Sequence, residues 1–339
     1  MSTDLAAVRA RLPAGLGVRE ATTGDLERLV EFSNRYASPA QWQSPEVARQ
    51  FESAMPEPNR LWLMVEDQRG ELVATARIGN GGIFASADGS WRGAIRVAPE
   101  WRRRDLATAL LERLEAHAGA NGARKVVGAV RGNEPEGRKF AEARGYAVFH
   151  ERIDSYVDVQ SFDATAHPDP EKLAGTAGVV LLTYEDLARQ RADRLDDLHR
   201  DLWDLNWELS RDVPAPVPMP RDPPPLDDRM RKVFFDGPAM DHPTSVVALR
   251  GERPIAITIT SVKENGIAYT NFTGVRRDER GKGIATAMKL RVLRVLRERG
   301  IRSFGTTNDE QNAAMRGIND RLGYRPDPPT LMVQKVLVA

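Results

Sequence analysis

The sequence predicts an α/β fold in two tandem copies, and three observations predict it: a length too great for one core, a pattern that repeats at one spacing, and strand-like runs alternating with helix-like runs in each half. With 339 residues, the chain suits two domains of about 150 to 170 residues, each long enough to bury its own core.

The repeat carries the prediction furthest. Val97–Ala107 (VAPEWRRRDLA) aligns with Val275–Ala285 (VRRDERGKGIA) at an offset of 178 residues, and the same offset brings Gly122 onto Gly300 and Gly145-Tyr146 onto Gly323-Tyr324. Within each copy, apolar or alternating runs at 61–65 and 72–78, and at 245–249 and 254–262, read as strand pairs joined by turns at 67–70 and 250–252. A further strand, 93–97 or 267–275, enters an arginine-rich loop. A helix follows at 106–118 or 284–299, with Ile284, Met288, Val292 and Val295 along one face. Another strand at 125–130 or 303–307 leads to a short helix that closes at Gly145 or Gly323, where a left-handed residue suits a helix end. Between 160 and 178, Ala, Thr, His, Pro, Asp and Gly replace periodic hydrophobics, so the expected division is 1–160, a linker at 161–177, and 178–339. Residues 212–225 hold seven prolines in fourteen positions. They exclude helix and read as a surface connector or as a rigid wall of an acceptor pocket.

Composition removes several chemistries. The net charge of +1, from 49 basic and 48 acidic residues, gives no surplus to attract nucleic acid or an anionic membrane. The absence of cysteine removes disulfides, thiolate zinc sites and a cysteine acyl-enzyme, and no histidine has a partner at metal-ligand spacing. The first residues lack an unbroken apolar stretch and no run approaches 18 apolar residues, so the expectation is a soluble cytoplasmic protein. Two fused copies already mimic a dimer, and a monomer is expected.

The second copy carries the motif with chemistry in it. Arg280, Gly281, Lys282, Gly283, Ile284 and Ala285 lie between a strand and a helix, where N–H groups at the helix start are unpaired and the helix dipole is positive. Gly281 and Gly283 leave space for phosphate oxygens, Ala285 and Thr286 allow contact at the first turn, and Arg280 and Lys282 add charge. A strand-to-helix turn rich in solvated arginine explains the same residues without a ligand.

The run Val275-x5-Arg280-Gly-x-Gly-x-Ala285 with its amphipathic helix resembles the coenzyme A pyrophosphate loop of the GNAT N-acetyltransferase superfamily. Asn308, Asn312, Met315 and Leu322-Gly323-Tyr324 resemble that family's second cofactor segment. The resemblance implies a mixed-sheet acyl-CoA N-acyltransferase fold, with acetyl-CoA as co-substrate and no metal. It also implies that strands 267–275 and 303–307 splay apart to admit pantetheine as an extra strand, with Thr273, Gly274 and Val275 beside it. The arrangement resembles tandem GNAT proteins of the mycothiol-synthase type, without fixing an acceptor. The first copy departs from the pattern: Arg103 and Asp105 occupy the two glycine positions, and a carboxylate there is expected to repel a diphosphate.

The resemblance implies direct attack of a neutral amine on the thioester, with a backbone N–H stabilising the oxyanion. Asn319 stands where many relatives carry a tyrosine acid. Tyr269, Glu264 and Tyr324 are the remaining catalytic candidates, each explained equally by packing or a surface pair. The acceptor, a primary amine of a small molecule or peptide, is expected near Trp203, Asp204, Trp207, Glu208 and Asp212, where two tryptophans share a helical face beside an acidic stripe. An ordinary amphipathic helix gives the same pattern. Two functions stay open: N-acetyltransferase, or a non-catalytic acyl-CoA-responsive binding module.

Overall fold

Hydrophobic period and capping chemistry account for the elements of the computed structural model, which describes residues 5–57, 59–82, 85–213, 218, 220 and 222–337. The chain forms two units, unit 1 from residues 1–151, 215–224 and 330–339, and unit 2 from 152–214 and 225–329.

Unit 1 runs α1 (Ala6–Arg9), β1 (Gly17–Glu20), α2 (Leu26–Asn34), α3 (Pro45–Ala54), β2 (Leu61–Glu66), β3 (Leu72–Gly79), β4 (Ser90–Val97), α4 (Leu106–Ala120), β5 (Lys125–Arg131), α5 (Pro135–Ala143) and the start of β6 (Ala147–Asp158). Ser44 caps α3 through Val47 N, with Pro45 at the first helical position. Strands β1 to β4 are antiparallel neighbours, whereas β4 and β5 are parallel and pair only from Ser90↔Lys125 to Arg92↔Val127 before separating. The sheet is completed by the last strand of the chain, β13 (Thr330–Val336), antiparallel to β5. Leu61, Leu63, Ala74, Ala76 and Ile78 from β2 and β3 pack against Leu106, Leu110 and Leu114 of α4. Each fully buried leucine contributes about 1.5 to 3 kcal/mol.

Unit 2 repeats the plan. It contains the remainder of β6, α6 (Pro170–Thr176), β7 (Val180–Thr183), α7 (Tyr184–Gln190), α8 (Leu195–Ser210), α9 (Asp228–Phe234), β8 (Val246–Arg250), β9 (Arg253–Val262), β10 (Ile267–Val275), α10 (Ile284–Glu298), β11 (Ser303–Asp309), α11 (Ala313–Arg321) and β12 (Arg325–Pro326). Strands β7 to β10 are antiparallel neighbours, β10 and β11 are parallel, and β11 pairs antiparallel with β6 from Ser303↔Asp158 to Asp309↔Arg152. Helix α10 packs one face with Ala268, Val246, Ala248 and Phe304, while α8 lies on β9 and β10.

The units divide the chain differently from the boundaries at 160, 177 and 178 read from composition. Residues 161–177 contain α6, capped by Asp169 through Lys172 N at 3.0 Å, with Pro170 at the first helical position. Leu173 and Ala174 of α6 pack on the unit 2 core. A seven-residue helix with two core residues carries no visible period, so its composition passes for a linker. The last strand of each copy is also exchanged: β13 buries Leu331 and Val333 and belongs to unit 1, while β6 delivers Val157 to the unit 2 core. In the proline-rich stretch, Pro214–Val217, Met219 and Arg221 lie outside the described residues, and the acceptor-wall expectation with them. Among the described residues no helix is long and apolar enough to cross a membrane, and no cluster of three or more His, Asp or Glu could hold a metal ion.

Candidate active site

The parallel pairing of β10 and β11 runs from Ile267↔Ser303 to Thr270↔Thr306 and stops, while β10 remains paired with β9 as far as Val275↔Ala256. A register shift between Thr270 and Phe272 marks a bulge at Asn271, the kind of irregularity that re-aims a strand. Beyond it Thr273, Gly274 and Val275 have a strand on one side only, so backbone groups on the other edge face the opening. The Thr273 hydroxyl lies 3.1 Å from that of Thr258. Gly274 has no room for a side chain, since a Cβ would come 2.8 Å from Leu209 Cβ.

The loop after β10 is held by its own charges. Arg280 Nε donates to the Val275 carbonyl at 3.0 Å. Asp212 accepts from Arg277 at 3.0 Å and also from Arg280. Glu279 accepts from Arg250 at 2.7 Å and from Lys282 at 2.8 Å. Arg277 and then Arg280 hold Asp212 down at about 2, and Arg250 with Lys282 does the same for Glu279, also about 2. Gly281 and Gly283 adopt φ of +77° and +78°, and a Cβ on Gly281 would meet nothing within 4 Å. Helix α10 begins at Gly283 without a side-chain cap. The N–H groups of Ile284, Ala285 and Thr286 therefore lack an intrahelical acceptor and suit an anion. An open strand edge ending at an uncapped helix start fits pantetheine followed by a diphosphate.

A polar cluster sits where the strands part. The Tyr269 hydroxyl donates to Asp154 Oδ1 at 3.0 Å, and the Thr307 hydroxyl bonds the same oxygen and that of Tyr269. Gly305 makes the approach possible, because a Cβ there would fall 2.5 Å from the Tyr156 ring and 2.7 Å from that of Tyr269. Burial first, then Asp154, pushes the Tyr269 hydroxyl up, so it stays a neutral donor. Lys263 Nζ lies 5.3 Å from the Tyr269 ring centre, and burial lowers it to about 8 against the opposing pull of Asp154. Asp154, Thr307 and Lys263 were not singled out from sequence. Asp154 stands in the first copy by sequence and enters unit 2 only because β6 is exchanged.

Other expected residues lie elsewhere. Trp203 and Trp207 are buried in unit 2, Trp203 edge-on to Phe234 at 4.9 Å. Asp204 is exposed, Glu208 pairs with Arg276 at 2.8 Å, and Asp212 is spent on the loop arginines, so the five do not converge. Glu264 is exposed in the turn before β10, at the end of the strand away from the loop. Tyr324 is in the core against Phe304. Asn308 is buried on β11 past the divergence, and Asn312 caps α11 through Met315 N at 3.2 Å.

Unit 1 keeps the same backbone without the glycines. Arg103 and Asp105 adopt φ of +60° and +64°, and Arg102 Nε donates to the Val97 carbonyl at 3.1 Å as Arg280 does to Val275. Asp105 does not stand alone: Arg11 donates to it at 2.7 and 2.9 Å. Beside this loop is a cavity of about 740 Å³ lined by Arg96, Arg102, Arg103 and Arg144 among others, and a second of about 310 Å³ lies between the diverging β4 and β5. The carboxylate that sequence reading set against a diphosphate is thus paired, and the space is present.

A parallel strand pair that opens toward an uncapped, loop-flanked helix, built twice in one chain, defines the class: a tandem acyltransferase fold. The profile of the acetyltransferase (GNAT) family matches residues 26–146 and 201–324, and the chain belongs to that family. Among solved structures, a GCN5-related N-acetyltransferase from Sphaerobacter thermophilus is 19% identical with a TM-score of 0.67, covering 96% of each chain. A tandem GNAT protein from the clavulanic acid biosynthesis pathway is 18% identical with a TM-score of 0.69, covering 95% of this chain and 98% of the other. These likenesses establish the tandem fold. No curated protein matches the chain in sequence.

Proposed function

We propose that unit 2 transfers an acetyl group from acetyl-CoA to a primary amine of a small molecule or peptide, by direct attack within a ternary complex. The observation that carries this reading is the parting of β10 and β11 after Thr270 and Thr306, which leaves an open strand edge running to the uncapped start of α10. Bound there, acetyl-CoA supplies an activated thioester. Thr273, Gly274 and Val275 hold the pantetheine edge, and the N–H groups from Gly281 to Thr286 meet the diphosphate. A backbone N–H on the open edge of β10 past the Asn271 bulge would donate to the thioester oxygen, and such a donor is worth about 10²- to 10³-fold. Asp154, fixed by Tyr269 and Thr307, offers a carboxylate to a cationic acceptor. With no cysteine in the chain, no thiol acyl-enzyme forms. The near-zero net charge fits a small acceptor and no nucleic-acid or membrane partner, and the protein acts as a cytoplasmic monomer.

A second reading, a non-catalytic acyl-CoA-responsive module, is favoured by Asn319 at the position of the usual acid. Initial rates over a panel of amines, read as free thiol, separate the two. Intersecting lines for one amine support direct transfer and parallel lines contradict it. Coenzyme A binding without acylation of any amine supports the module.

A further inference from the structure

Helix α10 carries a lysine where its core stripe calls for an apolar residue. Lys289 stands at helical spacing with Leu293 and Leu296, and all three are buried. The lysine is 0% exposed and its Nζ has no hydrogen-bond partner among the described residues. Its neighbours are the rings of Tyr324 and Phe304, at 5.0 and 5.8 Å. Two more polar groups in this core are equally unsatisfied: both amide atoms of Asn319, which is 2% exposed, and the hydroxyl of Tyr324, which is 4% exposed. Tyr324 N donates to the Asn319 carbonyl at 3.0 Å, which ties these two together. Three orphaned groups in one core carry a desolvation cost that no side-chain hydrogen bond among the described residues offsets.

The repeat supplies a counterpart for their position in unit 1. At the offset of 178 residues, Lys289, Asn319 and Tyr324 correspond to Leu111, Ala141 and Tyr146. Those three line the unit 1 cavity of about 310 Å³ that also touches Gly93 to Arg96 on β4 and Gly128 to Arg131 on β5, the two strands that part. In unit 1 the tyrosine is satisfied, its hydroxyl donating to Glu115 at 2.9 Å. The position equivalent to Glu115 in unit 2 is Leu293, and among the described residues no carboxylate bonds the Tyr324 hydroxyl or Lys289 Nζ. Burial alone lowers the Lys289 amine to about 7, with no charged group contributing. Tyr324 is pushed well above its ordinary value by burial, and the Asn319 amide has no acidic proton to give.

We propose that Lys289 is the proton donor to the departing thiolate in unit 2, with Asn319 and Tyr324 lining its path to the opening between β10 and β11. The assignment rests on the reading of unit 2 as the acyl-CoA site. As the acceptor nitrogen bonds to the acyl carbon, the carbon–sulfur bond breaks and its electron pair goes to sulfur. Lys289 gives that sulfur a proton, leaving a free thiol and a neutral amine. The acceptor nitrogen releases its surplus proton to solvent, and Lys289 regains one from solvent after the thiol departs, so the sum is amine plus thioester to amide plus thiol.

The test uses the full chain and Lys289→Met, with Lys289→Leu, the residue unit 1 carries at this position, as the second variant. The first readout needs no turnover: the thiolate absorbance of bound coenzyme A is followed against pH, with desulfo-coenzyme A as blank. Above about pH 7 the amine is neutral and takes the thiol's proton, and the ammonium–thiolate pair so formed favours the thiolate, so the bound thiol ionises at lower pH in the wild type than in either variant. Acetyl transfer in the variants falls by about 10²- to 10⁴-fold, the range for a positioned acid, while the unfolding temperature holds or rises because an unpaired buried amine is gone. Identical thiol titrations in wild type and variants, with coenzyme A bound in all, overturn the assignment. If the wild type binds no coenzyme A, the acyl-CoA reading of unit 2 fails first, and this assignment falls with it.

Discussion

Arg280 reaches back along its own loop to donate Nε to the carbonyl of Val275 at 3.0 Å. That bond fixes where β10 ends and where the glycine turn begins. It is repeated by Arg102 and Val97 in unit 1, so it belongs to the loop's architecture and not only to its charge. Arg280→Lys keeps the charge and loses the planar fork. It is expected to weaken coenzyme A binding nearly as much as Arg280→Ala, by about tenfold for a hydrogen bond worth about 1.4 kcal/mol. Calorimetry checks this, and full rescue by lysine would assign the residue to simple charge attraction.

Arg103 holds a left-handed conformation, φ +60°, without being glycine. Such a residue costs about 1 to 2 kcal/mol, part of which glycine returns to the unfolded chain as entropy. Arg103→Gly should therefore raise the stability of unit 1 by up to about 1 kcal/mol, seen as a higher denaturant midpoint at unchanged slope. Asp105→Gly should gain less, since it also gives up the contacts to Arg11. A loss of stability in Arg103→Gly would contradict the strain.

Asp212 titrates at about 2 in the fold because Arg277 and Arg280 surround it, against about 3.9 unfolded. A depressed carboxylate contributes stability that is complete above its unfolded value and is lost as pH falls through its folded value. The stability gap between wild type and Asp212→Asn should accordingly be full near pH 7, shrink below about pH 5 and vanish only below about pH 2. Denaturant titrations across that window check it, and a gap independent of pH would mean that Asp212 acts through packing.

Tyr269 and Tyr324 are both buried tyrosines, and neither is assigned the acid role. Tyr269→Phe and Tyr324→Phe should each keep kcat within about tenfold, a change of roughly 1.4 kcal/mol or less. Their stabilities should differ: Tyr269→Phe takes a donor from Asp154, whereas Tyr324→Phe removes a hydroxyl with no hydrogen-bond partner among the described residues and should be neutral or stabilising. Collapse of kcat in either variant, with coenzyme A still bound, would place the acid on that tyrosine.

The repeat, the strand pairs and the glycine loop were legible because each leaves a period or a fixed spacing in the chain. The exchange of β6 and β13 was not, since two strands with equal alternation give no local sign of which sheet they join. Asp154 was hidden for that reason. The acidic stripe on α8 was visible, but its partners Arg276, Arg277 and Arg280 come from a distant loop, and only the fold shows that Glu208 and Asp212 are occupied. Lys289 left a signal that passed unread: a lysine in register with Leu293 and Leu296 on an otherwise apolar face.

The central claim is that the glycine loop of unit 2 holds the acyl donor, and Gly283→Asp tests it most directly. The fold tolerates an aspartate in this backbone conformation, as Asp105 shows at φ +64°. At Gly283, however, the new side chain would approach Leu173, with Cβ at 3.2 Å from its Cδ1, where α6 provides no counterpart of Arg11. Calorimetry and acetyl transfer measured on wild type and Gly283→Asp should show the unit 2 binding heat and the turnover lost together, with the unfolding transition retained. Undiminished turnover in Gly283→Asp would contradict the account and move the chemistry to the cavity of unit 1.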